Sequence, residues 1–218
     1  ITPAADGTYV LYIGGSGEIP AGFLGYREDT ADLNDALAEI MANNNTVSLV
    51  IGSGITSIGS DAFNTPAEKD TNAIITSVRF EDNSACTTIG NSAFRAMAIC
   101  ESIDFGTGGA FETFGPYAFY RNSALKNVNL ENCRHLTNIG GYAFAEYNVI
   151  ENITIPANVV KLGNNAFYDC GSLKNVTFEP NANLNYIGRR CFSGCAALCA
   201  LSFPATLDTI APGAFAGC

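Results

Sequence analysis

Apolar residues recur in this chain on a beat of 23 to 25 positions, with one longer step. An apolar residue, glycine, two variable positions, alanine and phenylalanine follow one another at Ile58–Phe63, Ile89–Phe94, Phe114–Phe119, Ile139–Phe144 and Leu162–Phe167. Two further copies, Ile187–Phe192 and Ile210–Phe215, vary the theme with Cys191 for the alanine and Ala211 for the glycine. The phenylalanines advance by 31, 25, 25, 23, 25 and 23 residues. Repetition at that period predicts a solenoid, in which each unit buries its apolar face only against its neighbours.

A second pattern precedes most copies. Leu125–Leu130 and Leu173–Phe178 alternate apolar and polar residues, as do Ile75–Phe80, Cys100–Phe105, Ile150–Ile155, Leu198–Phe203 and, in shortened form, Leu49–Ile51. A period of two predicts strands with one face buried. Nine residues separate each phenylalanine from the next strand's central apolar residue, except after Phe63, where Thr65–Asp70 adds six as a predicted exposed loop. From that central residue to the next copy there are nine or eleven residues. Both lengths place an apolar side chain three before the copy begins, at Ile55, Cys86, Phe111, Leu136, Val159, Leu184 and Leu207. The recurrent glycine predicts either a site where a Cβ would clash or a positive φ.

Residues 1–45 show no copy of the repeat and read as an N-terminal cap for the solenoid of residues 46–218. Thr8–Ile13 is rich in strand formers, and Pro20 with four nearby glycines marks a loop. Asp29 or Thr30 begins a predicted helix to about Asn43, with Leu33, Leu37, Ile40 and Met41 on one face.

The columns Leu-x-x-Val-x-Phe/Ile and Ile-Gly-x-x-Ala-Phe-x-x-Cys resemble the BspA-like leucine-rich repeat family over about residues 46–218. That resemblance implies an α/β solenoid: an arc of about seven coils with a parallel sheet on its concave face and short helical turns on its convex face. It also implies a place on or outside a bacterial cell surface, and adhesion or protein binding rather than catalysis. The family motif fixes no ligand-binding residue.

Composition narrows this further. A net charge of −10 argues against nucleic acid and anionic membrane surfaces, which call for a basic face. No apolar run approaches the length of a spanning helix, so a membrane would be reached only through an anchor outside these residues. The opening at Ile1 reads as a mature or trimmed chain from which a secretion signal has been removed. The chain stops three residues past Phe215, where another strand is due. That predicts an open apolar edge, covered by further chain or by self-association.

His135 is the only histidine and sits in a loop beside Arg134, so no Ser-His-Asp or Cys-His set can be assembled without it. No enzyme, cofactor or metal is expected. Among eight cysteines, Cys86, Cys100, Cys191, Cys170, Cys195 and Cys218 fall in apolar or small-residue columns and read as buried thiols. Cys133 and Cys199 fall in polar columns and read as exposed. Stacked coils would also permit a Cys170–Cys195 or Cys195–Cys218 bridge, although parallel side chains disfavour it.

The outward strand positions form the candidate binding face: Arg79, Asp104, Asn127, Asn129, Asn152, Thr154, Asn175 and Thr177. Such a polar face suits a protein of a host or neighbouring cell, with glycan as a further class of ligand. It equally suits a solvated ladder on a structural spacer. Tyr117, Tyr142, Tyr120, Tyr168 and Tyr147 mark a second candidate, an aromatic patch on the turn side of the middle coils.

Overall fold

The computed structural model describes residues 1–4, 8–25, 27–65, 71–147, 149–199 and 201–218. Apart from Thr65, the predicted insertion lies outside them. The chain opens with β1 (Thr2–Pro3), β2 (Tyr9–Ile13), β3 (Gly17–Ile19), helix α1 (Ala31–Ala42), β4 (Val47–Ile51) and β5 (Ile55–Ile58). There follow β6 (Ile75–Phe80), β7 (Thr88–Ile89), β8 (Ser102–Asp104), β9 (Thr113–Phe114), β10 (Asn127–Val128) and β11 (Asn138–Ile139). The series ends with β12 (Asn152–Ile155), β13 (Lys161–Leu162), β14 (Asn175–Phe178), β15 (Tyr186–Ile187) and β16 (Thr209–Ile210).

From β2 to β15 successive strands alternate between two faces, which makes a β-solenoid with parallel sheets and little helix. The first face carries β1-β2-β4-β6-β8-β10 and, separately, the pair β12-β14; the second carries β3-β5-β7-β9-β11-β13-β15-β16. Among the described strands only β1 runs antiparallel, along the outer edge of β2. The alternation read from sequence holds in detail: Val47, Leu49 and Ile51 are fully buried while Ser48 and Val50 between them are not. The stretch Leu198–Phe203 departs from it, since none of its described residues is in a strand.

Between the sheets, the phenylalanines stack ring on ring. Centroids lie 4.9 Å apart for Phe63–Phe94, 5.6 Å for Phe94–Phe119 and 5.1 Å for Phe119–Phe144, and the column continues through Phe167 and Phe192 to Phe215. The recurrent glycines answer to close approach and not to φ. A Cβ on Gly140 would lie 2.5 Å from the carbonyl carbon of Gly115, and one on Gly163 would lie 2.6 Å from that of Gly140.

The positive φ falls instead two residues before each phenylalanine: Asp61, Ser92, Tyr117, Tyr142, Asn165, Arg190 and Gly213, at 52° to 70°. A second left-handed residue lies two after it in most coils, as at Ala96, Arg121, Glu146 and Asp169. Alternating hands aim the N–H groups of every other residue at the next coil. Ser92, Phe94 and Ala96 thus donate to the carbonyls of Pro116, Ala118 and Tyr120. The bends are therefore turns of alternating hand rather than the helical turns expected.

Residues 9–24, where the sequence shows no copy of the repeat, stack on the next coil in the same register as the repeats do. β2 pairs in parallel with β4 and β3 with β5, and Gly22 and Leu24 donate to Ser60 and Ala62 as any coil does to the next. Leu24 is fully buried in the phenylalanine column, and Gly22 holds the left-handed position. The copy was hidden because Pro20 stands for the glycine and Leu24 for the phenylalanine. Helix α1 then carries the chain back to β4, burying Leu37 and Ile40 as its periodicity predicts. Its first turn is pinned by Asn34, whose carboxamide accepts from Gly25 N–H and donates to Thr30 O.

Candidate functional site

Among the described residues, coil-to-coil backbone hydrogen bonding on the first face lapses at the last coil, between 173–178 and 198–203, and once within the run of strands. β8 and β10 pair in register, as do β12 and β14, but among the described residues no backbone hydrogen bond joins 125–130 to 150–155. The cause lies at Asn129, whose φ of −92° and ψ of 62° end the extended chain and start a 3-10 turn over Leu130–Asn132. With the backbone turned away, the Asn129 side chain stands in for it. Its Oδ1 accepts from Phe105 N–H at 2.9 Å and its Nδ2 donates to Asp104 Oδ1 at 2.6 Å. Asp104 Oδ1 also accepts from Gly106 N–H at 2.9 Å.

The break opens a solvent-accessible cleft of about 560 Å³ lined by Ser102, Asp104, Lys126, Asn127, Asn129, Glu131, Val149, Glu151 and Asn152, among others. Four of the eight sequence-predicted residues meet here: Asp104, Asn127, Asn129 and Asn152. Asn127 is exposed, and its carboxamide has no hydrogen-bond partner among the described residues. Asn152 accepts from Asn175 Nδ2 at 2.7 Å, and Thr154 shares a 2.9 Å hydrogen bond with Thr177. Asn175, Thr154 and Thr177 thus form a ladder on the adjoining pair of strands. Arg79 lies across β6 and β8 from Asp104, exposed and with no ion pair among the described residues.

Sequence reasoning missed the charged residues at the mouth. Glu101, Lys126, Glu151 and Lys174 occupy one column just before the strands, where charges alternate. Lys126 pairs with Glu101 at 3.0 Å and Lys174 with Glu151 at 2.8 Å, so the unmade pair, Lys126 with Glu151, marks the break. That alternation was the available signal. Surface pairs of this kind contribute little stability. Of three acids just after the strands, Glu81 and Glu179 accept backbone N–H groups of Ser53 and Ala157 in the preceding coil, while Glu131 stands at the cleft.

The tyrosine candidates divide. Tyr147 is fully buried, its hydroxyl donating to Phe119 O at 2.5 Å, and belongs to the core. Tyr117 and Tyr142 stack at 4.9 Å with their planes 6° apart, while Tyr120 meets Tyr117 and Tyr168 meets Tyr142 edge-on. Tyr120 donates to Glu146, which also takes Arg121 Nε at 2.7 Å. Burial and the Glu146 hydrogen bond raise the Tyr120 phenol above its usual range. Burial also pushes the Glu146 carboxyl up, but hydrogen bonds from Tyr120 and Arg121 and the charges of Arg121 and Arg95 outweigh it, holding the group low.

Two cysteine expectations need correction. Cys133 is buried, because the turn after Asn129 closes with its N–H on Leu130 O and swings it inward. Cys218 is exposed, because no described residue stacks on the outer side of its coil. Cys199 is exposed as expected, and all eight are free thiols. The column three past each phenylalanine is a hydrogen-bond ladder. Cys170, Cys195 and Cys218 Sγ donate to Phe144, Phe167 and Phe192 O at 3.1 to 3.2 Å, the role Tyr147 plays on Phe119.

A family model for the BspA-type leucine-rich repeat region, six copies long, matches residues 37–149 and 112–218. Among solved structures, the chain is similar to a leucine-rich repeat protein of T. pallidum, with a TM-score of 0.60 and 21% identity over 70% of this chain and 67% of that one. It is also similar to a leucine-rich repeat protein from Bacteroides ovatus, with a TM-score of 0.55 and 26% identity over 69% of this chain and 38% of that one. No match was found among curated proteins.

Proposed function

Because this chain belongs to the BspA-type leucine-rich repeat family, we propose that it is a recognition module that binds a protein partner at the first-face cleft, on or outside a bacterial cell surface. The observation that carries this reading is the break between residues 125–130 and 150–155, which exposes strand edges beside an unpartnered Asn127. Backbone groups at a strand edge are ready to pair with an extended segment. The carboxylates of Asp104, Glu131 and Glu151 around Lys126 give the cleft an acidic balance, which favours a partner presenting basic or amide groups.

The test is capture from extracellular matrix and serum proteins beside a glycan array, with a photo-crosslinker placed at Asn127. The control carries Asn127→Ala, Asn152→Ala and Glu151→Gln; Asn129 is left intact because it holds Phe105 N–H. A protein crosslinked at position 127 and lost by a control of unchanged melting temperature supports the reading. Capture that survives the control, or silence in both assays, refutes it; silence leaves the solenoid as a spacer.

A further inference from the structure

The bend beside the phenylalanine column carries a second surface unlike the rest of the molecule. Inter-coil hydrogen bonds align Tyr117, Tyr142, Asn165 and Arg190 in one row, through Tyr117 N–H to Gly141 O, Tyr142 N–H to Asn164 O and Asn165 N–H to Arg189 O. The neighbouring row holds Arg95, Tyr120 and Tyr168, with the Arg95 and Arg121 guanidiniums 5.3 and 5.1 Å from the Tyr120 ring centre. Tyr117, Tyr142 and Tyr168 are half-buried, and Arg189 and Arg190 are exposed. Arg95, Arg189 and Arg190 make no ion pair among the described residues. From Arg95 to Arg190 the strip crosses four coil steps, roughly 20 Å at strand spacing.

Stacking does not ask for tyrosine here. The row is left-handed in every coil, and Asn165 and Gly213 fill it with residues that enter that region easily. Tyr117 and Tyr142 hold φ of 57° and 56°, a region in which a bulky side chain is strained, yet their neighbours in the row show the coil closes without them. The strain puts an aromatic stack between unpaired arginines on a chain whose net charge is −10. Tyrosine and arginine are the side chains that most often anchor protein interfaces. The ring faces are occupied by one another, at 4.9 to 6.3 Å between centroids, so edges and hydroxyls are presented rather than a flat platform for a sugar.

We infer that this strip is a docking surface for an acidic segment of a partner protein, distinct from the first-face cleft. Carboxylates of the segment meet Arg95, Arg189 and Arg190, and its backbone lies across the edges of Tyr117, Tyr142 and Tyr168. Glu146 keeps Arg121 and Tyr120 fixed beneath them.

The probe is a fluorescein-labelled decapeptide of glutamate, with decalysine as its control, titrated by anisotropy at low ionic strength. The parent binds the glutamate peptide, salt weakens that binding, and decalysine does not bind at this strip. Arg95→Ala with Arg189→Ala and Arg190→Ala weakens the glutamate peptide at least about tenfold. Tyr117→Asn with Tyr142→Asn weakens it by about as much while the urea midpoint holds or rises, because Asn tolerates the left-handed backbone. No binding by the parent, or equal binding by either variant, overturns the inference. So does a lowered midpoint in the tyrosine variant, since the tyrosines would then serve packing.

Discussion

Replacing Gly140 by alanine tests the stacking geometry directly. The new Cβ would stand 2.5 Å from Gly115 C, 2.6 Å from Gly115 O and 2.7 Å from Phe114 O, all main-chain atoms. Ordinary contact begins at 3.4 Å, so the coils must part locally by 0.9 Å. Gly140 N–H donates to Phe114 O at 2.8 Å, and that separation carries the bond beyond hydrogen-bonding range. Retreat in the other direction is closed, because Gly163 approaches the Gly140 carbonyl as Gly140 approaches Gly115. Overpacking of this kind typically costs about 1–3 kcal/mol and the lost bond about 1 more, so Gly140→Ala should destabilise by about 2–4 kcal/mol. Gly171→Ala is the control: nothing lies within 4 Å of its Cβ and its φ is not positive, so stability should hold or rise by about 0.4–1 kcal/mol. Urea unfolding followed by far-ultraviolet circular dichroism reads both as midpoint shifts at constant slope. A Gly140→Ala midpoint equal to the parent's would refute the stacking account. The chain contains its own comparison at Ala211, which holds the glycine's position in the last coil with its N–H on Ile187 O at 2.9 Å.

The remaining predictions draw on the core, the thiols and the edge. Phe119→Ala, which removes a ring stacked on both Phe94 and Phe144, should cost about 3–5 kcal/mol in the same assay. At pH 8 a thiol reagent should label Cys199 and Cys218 in the folded protein and all eight cysteines in denaturant; mass spectrometry showing labelled Cys133 in the native state would contradict its burial. Burial raises the Cys86 thiol from 9.0 to about 12 and Cys100 from 9.0 to about 11, so their neutral forms stabilise the fold fully below pH 9. Above it the unfolded thiols ionise first, and stability should fall as pH rises from 9 toward 11, by less in a Cys86→Ala variant; a flat profile would count against it. Phe203 and Ile210 are exposed beside Leu198, Leu201 and Phe215 at the last coil, so residues 1–218 should self-associate with concentration in light scattering, and Ile210→Lys should reduce it.

The columns that every coil must fill were legible, because the same physical demand is written repeatedly. Phe63, Phe94 and Phe119 announce a buried column, Gly115 and Gly140 either a close approach or a left-handed turn, and Leu49 and Ile51 a half-buried strand. Departures were not legible where a different residue type met the same demand. The first coil passed unseen because Leu24 fills a phenylalanine's volume with a different letter, and Pro20 meets no Cβ clash that would require glycine. The cleft was half visible. Asp104, Asn127, Asn129 and Asn152 were chosen for pointing outward, but the break that brings them together depends on the backbone turning at Asn129, which a column of polar letters does not encode. Cys133 was misplaced for the same reason, since its burial follows from that turn.

Stacking also separates what the fold requires from what it merely permits. A side chain the coil needs has a counterpart in most coils and a contact to the coil before it, as Cys170 has on Phe144 O and Tyr147 on Phe119 O. Glu151 fails that criterion at the cleft, since it pairs with Lys174 of the following coil and not with Lys126 of the coil before, where the first face is unjoined. Tyr117 and Tyr142 fail it at the bend, where smaller residues serve the same backbone in other coils. Each contact runs to the adjoining coil, so replacing these residues perturbs few neighbours and spares the ring column. A loss of binding at either place can therefore be told from a loss of fold, which is not so for Phe119 or Gly140.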